Sequence, residues 1–169
     1  VDGTNSELIW DEITPFDEIP LLVNPKSGWI VSANQDPFRA SAIADNLKRS
    51  DYSPTLGIET KMTNRAYRVI EIFDNDKKFD EKDLLDAKFD NEYSKESRSV
   101  KYLKNILEKE YEDEELKQAQ SILNAWDLKT DNNNRSAALG VCVLQEEWIS
   151  FMSRIVAPNA DEIFKKCIG

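Results

Sequence analysis

Asn34 is the residue in this chain with the clearest means of doing chemistry. It ends the β-branched and aromatic run Trp29-Ile30-Val31-Ser32-Ala33 and is followed by Gln35-Asp36-Pro37-Phe38. A carboxamide at the mouth of a sheet carries N–H groups that can be aimed at the negative charge building on a carbonyl oxygen. The plainer reading is a turn-forming Asn ahead of a proline-containing loop, and spacing alone favours it. Arg65, which opens a helix beside Asn64, reads from its position as a surface or ion-pairing arginine.

The chain contains no histidine. A Ser-His-Asp triad, a Cys-His pair and a His-ligated zinc site are therefore excluded within it. A Ser or Thr nucleophile would be left with Lys, a carboxylate or a free amino terminus as its base, and Val1 has no nucleophilic side chain. No cofactor is implied. Residues 108–115 are nearly unbroken charge, which reads as a solvated face or connector. Calcium is the sharper alternative for those carboxylates, but the loop lacks the D-x-D-x-D-G spacing of a known cage, so no metal site is expected. With 22 basic against 32 acidic residues and a net charge of −10, a nucleic-acid groove is disfavoured, because phosphate binding needs clustered Lys and Arg. No run reaches the roughly 20 apolar residues of a membrane helix.

The elements that would position Asn34 and Arg65 follow from the same residues. At 169 residues, 40% hydrophobic and 32% charged, the composition predicts one acidic domain over 1–169 with a core of its own. Cys142 and Cys167 can pair only if the fold brings them together; two cysteines imply no disulfide framework. Residues 1–60 read as extended chain and turns, because Pro15, Pro20, Pro25 and Pro37 interrupt any helical run. Asn24-Pro25-Lys26-Ser27-Gly28 is a turn signal, and residues 29–34 form the best strand in the sequence.

Residues 61–169 read as helical. Thr63 or Asn64 caps a helix carrying Val69, Ile70, Ile72 and Phe73. Asp80 caps the next, with Phe79 and Leu84 at the positions of a hydrophobic staple and Leu84, Leu85 and Phe89 facing inward. A third helix carries Val100, Leu103, Ile106 and Leu107; a fourth carries Leu116, Ala119, Ile122, Leu123 and Trp126. A long, mostly apolar fifth helix over about 136–156 reads as central. Asn159 and Glu162 form a capping box for a short last helix.

The run Asn24-Pro25-Lys26-Ser27-Gly28-Trp29-Ile30-Val31-Ser32-Ala33-Asn34-Gln35-Asp36-Pro37-Phe38 resembles the β-subunit segment of the penicillin amidase family of N-terminal nucleophile hydrolases. Flanking residues keep the family's order: Ile9-Trp10, Pro15-Phe16 and Ile19-Pro20 before it, Thr63-Asn64-Arg65 and Arg68-Val69 after it. Leu123-Asn124-Ala125-Trp126-Asp127 and Asn134-Arg135-Ser136-Ala137-Ala138-Leu139 are similar to the family's Trp-Asp step and the helix behind it. The likeness is weakest over 77–112 and after Trp148. Asn34-Gln35-Asp36-Pro37-Phe38 in place of a double asparagine resembles the branch of acyl-homoserine lactone and aculeacin acylases.

The resemblance implies a mainly α piece, with a small extended N-terminal region, of an αββα hydrolase that cleaves acyl amides. Its nucleophile would be an amino-terminal Ser exposed by self-cleavage, outside this chain, with its own α-amine as base. Asn34 matches the family's oxyanion asparagine and Arg65 the arginine that supports the electrostatics of the site. The expected partners are the remainder of the acylase, with its nucleophile-bearing β segment and α subunit, and a small acyl amide substrate. The expected location is periplasmic or secreted, and the chain alone is expected to be inactive. Two other readings stay open: a free-standing acidic helical interaction module, and a relative that has lost its nucleophile.

Overall fold

A computed structural model describes the backbone of residues 3–9, 13–75, 78–152 and 160–168, and the side chains of these except 146–152 and 160. Among the described residues six α-helices dominate: α1 (Asn64–Phe73), α2 (Glu81–Lys88), α3 (Arg98–Leu107), α4 (Glu114–Asn124), α5 (Arg135–Met152) and α6 (Ala160–Ile168). The fold is mainly helical, as expected. Trp10, Lys77, Val156 and the Asn159 cap lie outside the described residues.

The helices start where polar side chains can take up their free N–H groups. Thr63 accepts from Ala66 N–H, Ser97 from Val100 N–H, and Asp113 from Glu115 N–H. Asp80 and Asp83 form a reciprocal capping box on α2. One face of α3 buries Val100, Leu103 and Ile106, and one face of α4 buries Leu116, Ala119 and Leu123. Both pack on α5, which also packs on α6, so the apolar fifth helix is central. Ile163 and Phe164 of α6 close that core, with Phe164 against the Tyr111 ring at 5.4 Å.

The sulfurs of Cys142 and Cys167 are bonded, joining α5 to α6 across a separation of 25 residues. Closing a loop of that length stabilises by roughly 3.5 kcal/mol in the chain-entropy picture. Reduction, or Cys142→Ser with Cys167→Ser, should lower Tm by roughly 10 °C. A thermal scan with and without reductant measures it. An unchanged Tm would show that the core alone holds α6.

A second constraint sits where Gly140 of α5 meets the Trp126 ring. A Cβ at Gly140 would lie 2.3 Å from two ring carbons. Gly→Ala in a helix gains up to about 1 kcal/mol of propensity, but the clash opposes it. The ring has little room to retreat, because its indole N–H donates to Lys129 C=O at 2.8 Å and Tyr93 meets it edge-on. Gly140→Ala should therefore destabilise by a net 1–3 kcal/mol or so, read as a lower denaturant midpoint.

Two expectations fail. Residues 29–34 form no strand; the pairing among the described residues is one isolated bridge, Glu92 with Lys129. The segment is extended, but among the described residues Val31 N–H to Ala40 C=O is its one backbone-to-backbone link, because the chain turns away through the 3-10 helix Pro37–Arg39 instead of running back alongside. Asn34 accordingly does not stand at the mouth of a sheet among the described residues. On α2, Leu84, Leu85 and Phe89 are exposed, not inward. That helix buries none of its residues, and Phe79, just ahead of it, stacks on Phe73 of α1 at 4.6 Å.

Candidate functional site

The segment bearing Asn34 is fixed from several sides. At its start, Trp29 packs on Phe73. The fully buried Ser41 hydroxyl donates to Trp29 C=O at 2.8 Å and shares a hydrogen bond with Ser27. Asn46 in turn accepts from the Ala40 and Ser41 N–H groups and donates to Ser41 C=O. Before it, Asn24 and Gly28 take positive φ and Gly28 N–H closes the turn onto Pro25 C=O. After it, Asp36 caps the 3-10 helix by accepting from Phe38 N–H, as an Asp-Pro pair does.

Asn34 itself adopts the left-handed conformation, φ 59°. Asn is among the few residues that enter this region readily. The turn-forming reading and the chemical one therefore describe the same geometry, since this backbone turns the side chain outward. Asn34 is exposed.

Arg65 reaches it from the first turn of α1. Arg65 Nη2 donates to Asn34 Oδ1 at 2.5 Å across 31 residues of sequence. The helix N-terminus is pinned to the same loop, because Thr63 Oγ1 accepts from Ala66 N–H while donating to Ala33 C=O at 3.2 Å. Asn64, between them, accepts from Ser94 N–H at 2.8 Å. Arg65 thus bonds a neutral carboxamide and has no carboxylate partner among the described residues. Of the two expectations for it, a surface or an ion-pairing arginine, the first holds, since Arg65 is exposed.

The contrast with Arg68, one turn on, is informative. Arg68 bonds Asp90 through two nitrogens at 3.0 and 2.7 Å and also engages Glu71 and Glu92. Hydrogen bonding to Asp90, and then to Glu71, raises its pKa above the ordinary arginine value. Its charge is neutralised and structural, tying α1 to the 90–92 segment. The Arg65 charge is left to act on whatever lies beside Asn34.

With Oδ1 committed to Arg65, Asn34 Nδ2 is directed away from it and bonds no described residue. The arrangement can do one thing well: present an oriented N–H donor, backed by an arginine without a carboxylate partner among the described residues, to an oxygen acquiring negative charge. Arg65 also borders a cleft of about 500 Å³ between α1 and α2, lined with Val69, Ile72, Lys88 and Tyr93. Another cleft of about 520 Å³, by Ile122, Leu139 and Cys167, includes neither residue of the pair. Among the described residues no group of three or more Asp, Glu, Cys or His side chains is placed to hold a metal ion. No helix there is long and apolar enough to cross a membrane.

Sequence reasoning missed Gln35 and the second role of Thr63. Gln35 Oε1 accepts from Ala33 N–H and Nε2 donates to Val31 C=O. No local signal marks such a clamp, because a Gln two residues past a β-branched run carries no distinctive spacing.

In comparisons with known proteins, the family model described as penicillin amidase matches residues 1–166. No solved structure matches the chain.

Proposed function

The chain belongs to the penicillin amidase family, and from that premise we propose that it supplies the oxyanion-stabilising part of an acylase. Asn34 is the donor and Arg65 its positioning and electrostatic support. The observation that carries this reading is the bond from Arg65 Nη2 to Asn34 Oδ1, made in the open, with Nδ2 left to face a ligand.

In the parent enzyme the nucleophile is an amino-terminal Ser from another segment. Its neutral α-amine, with an ordinary pKa of about 7.7–8.0, takes the hydroxyl proton as the oxygen attacks the acyl carbonyl. The carbonyl π electrons move onto oxygen, where Asn34 Nδ2–H meets the charge. Collapse of the tetrahedral intermediate expels the amine, which takes up the proton, and leaves an acyl ester on Ser. Water then releases the acid by the same route. Histidine is not needed at any step.

The extended segment supports a larger parent. In a strand, alternate residues direct their backbone groups to opposite sides. Trp29, Val31 and Ala33 have bonds within the chain, whereas the N–H and C=O of Ile30 and Ser32 bond no described residue. One side of this segment is therefore an open edge that an added strand would complete. Ile13, Ile30 and Ile43 are 95%, 56% and 80% exposed, which supports further apolar coverage. The parts expected to provide it are the nucleophile-bearing segment and the α subunit.

The Asn34-Gln35-Asp36-Pro37-Phe38 run favours an acyl-homoserine lactone or aculeacin-type substrate over a penicillin. The Cys142–Cys167 bond favours an oxidising, periplasmic or extracellular location. The test is to express the full polypeptide that contains this chain, sequence the amino termini of its mature pieces, and follow amine release from an acyl-homoserine lactone and from penicillin G. A new amino-terminal Ser with cleavage of the amide of the acyl-homoserine lactone is the expected result. A mature protein with no such terminus and no amide cleavage would favour the nucleophile-less alternative.

A further inference from the structure

We propose that Gln35 is a positioning residue, one that sets the aim of Asn34 by clamping the peptide groups ahead of it; this rests on the reading of Asn34 as the oxyanion donor. The Gln35 carboxamide folds back over its own chain. Oε1 accepts from Ala33 N–H at 2.5 Å and Nε2 donates to Val31 C=O at 2.6 Å. A primary amide offers one face with both a donor and an acceptor. Here it does for Val31 and Ala33 what a neighbouring strand would do.

Thr63 completes the hold. Its hydroxyl donates to Ala33 C=O while capping α1, so the N–H and the C=O of Ala33 are each captured by a side chain. Asn34 follows immediately, at φ 59°. An L-residue leaves that region easily unless its flanking peptides are fixed. Rotation of the 33–34 peptide would swing Cβ and carry Nδ2 away from its present direction. Gln35 fixes one side of that joint, and Arg65 and Thr63, both from the start of α1, fix the other.

Other side chains cannot reproduce the clamp. Glu keeps the acceptor for Ala33 N–H but sets a carboxylate oxygen against Val31 C=O. Met has comparable length and neither function. Asn is one methylene short.

Two measurements test this. In the 169-residue chain, the ¹⁵N–¹H signals of the Asn34 side-chain amide should be dispersed and rigid. In Gln35→Met they should collapse toward averaged values, while signals from Ile106 and Phe164 in the core stay in place. If Gln35→Met fails to fold, Gln35→Glu gives the same reading with one bond retained. In the full acylase, assayed on an acyl p-nitroanilide, Gln35→Met should lower kcat by about 10- to 100-fold with KM within about twofold. It should lower kcat no further when added to Asn34→Gly. An unchanged Asn34 amide signal in the folded variant overturns the proposal, as does an additive loss in the Asn34→Gly background. If Asn34→Gly itself keeps full kcat while the amide signal still depends on Gln35, the clamp stands and the oxyanion reading falls.

Discussion

Replacing Asn34 by Asp in the parent acylase should lower kcat by about 10²- to 10³-fold, with KM little changed. The substitution keeps the side-chain length and the oxygen that Arg65 Nη2 contacts, and it tolerates the left-handed backbone. What it removes is Nδ2, the group that can donate to an oxyanion. It also sets a carboxylate beside the charge that must develop. Asn34→Gly should give a similar loss while accepting φ 59° without strain. Asn34→Ala should match it in rate, with a modest added loss of stability from a Cβ-bearing residue without a polar side chain in that conformation. Because Asn34 is exposed, the melting temperatures of the Asp and Gly variants should stay close to the parent's. Steady-state kinetics beside thermal scans would separate the two effects. Full turnover by Asn34→Asp would leave the residue as a turn former and nothing more.

The largest stability effect should come from Trp126→Ala, about 3–5 kcal/mol. Trp126 lies just past the end of α4, 6% exposed, against Tyr93 at 5.8 Å and directly over Gly140. Truncation leaves a void between α4 and α5 and deprives Lys129 C=O of the indole N–H. Both losses act in the folded state, so the urea midpoint should fall with the slope unchanged. A change under about 0.5 kcal/mol would mean that the ring does not hold these helices together. Trp126→Phe keeps most of the volume and should recover much of the loss.

What the sequence disclosed and what it withheld divide along a physical line. Two helix starts were legible because a cap acts over three residues: Thr63 and Asp80 each satisfy a nearby N–H. Most of the inward face of each of α3 and α4 was legible because burial on a central helix repeats at three and four residues, though Ile122, placed on the α4 face, is exposed. The same rule misled on α2, where Leu84, Leu85 and Phe89 have helical spacing but are covered by no layer of the described residues. Composition misled over residues 29–34, whose β-branched residues suit a strand although the described residues supply no neighbouring strand to pair with. Asn34 and Arg65 could be singled out through the resemblance, but their meeting depends on Thr63 joining α1 to Ala33 across 30 residues. No local pattern encodes that. Leu128, buried at φ 67°, was equally invisible, since nothing about leucine suggests a left-handed turn.

The bridge between α5 and α6 also governs how the molecule comes apart. Both cysteines lie within helices, and the intervening chain runs from residue 143 to 166. A protease cutting anywhere in that interval would yield two polypeptides that still migrate as one on a gel without thiol. They would separate only once dithiothreitol is added, so an intact band in an untreated lane is no proof of an uncut backbone.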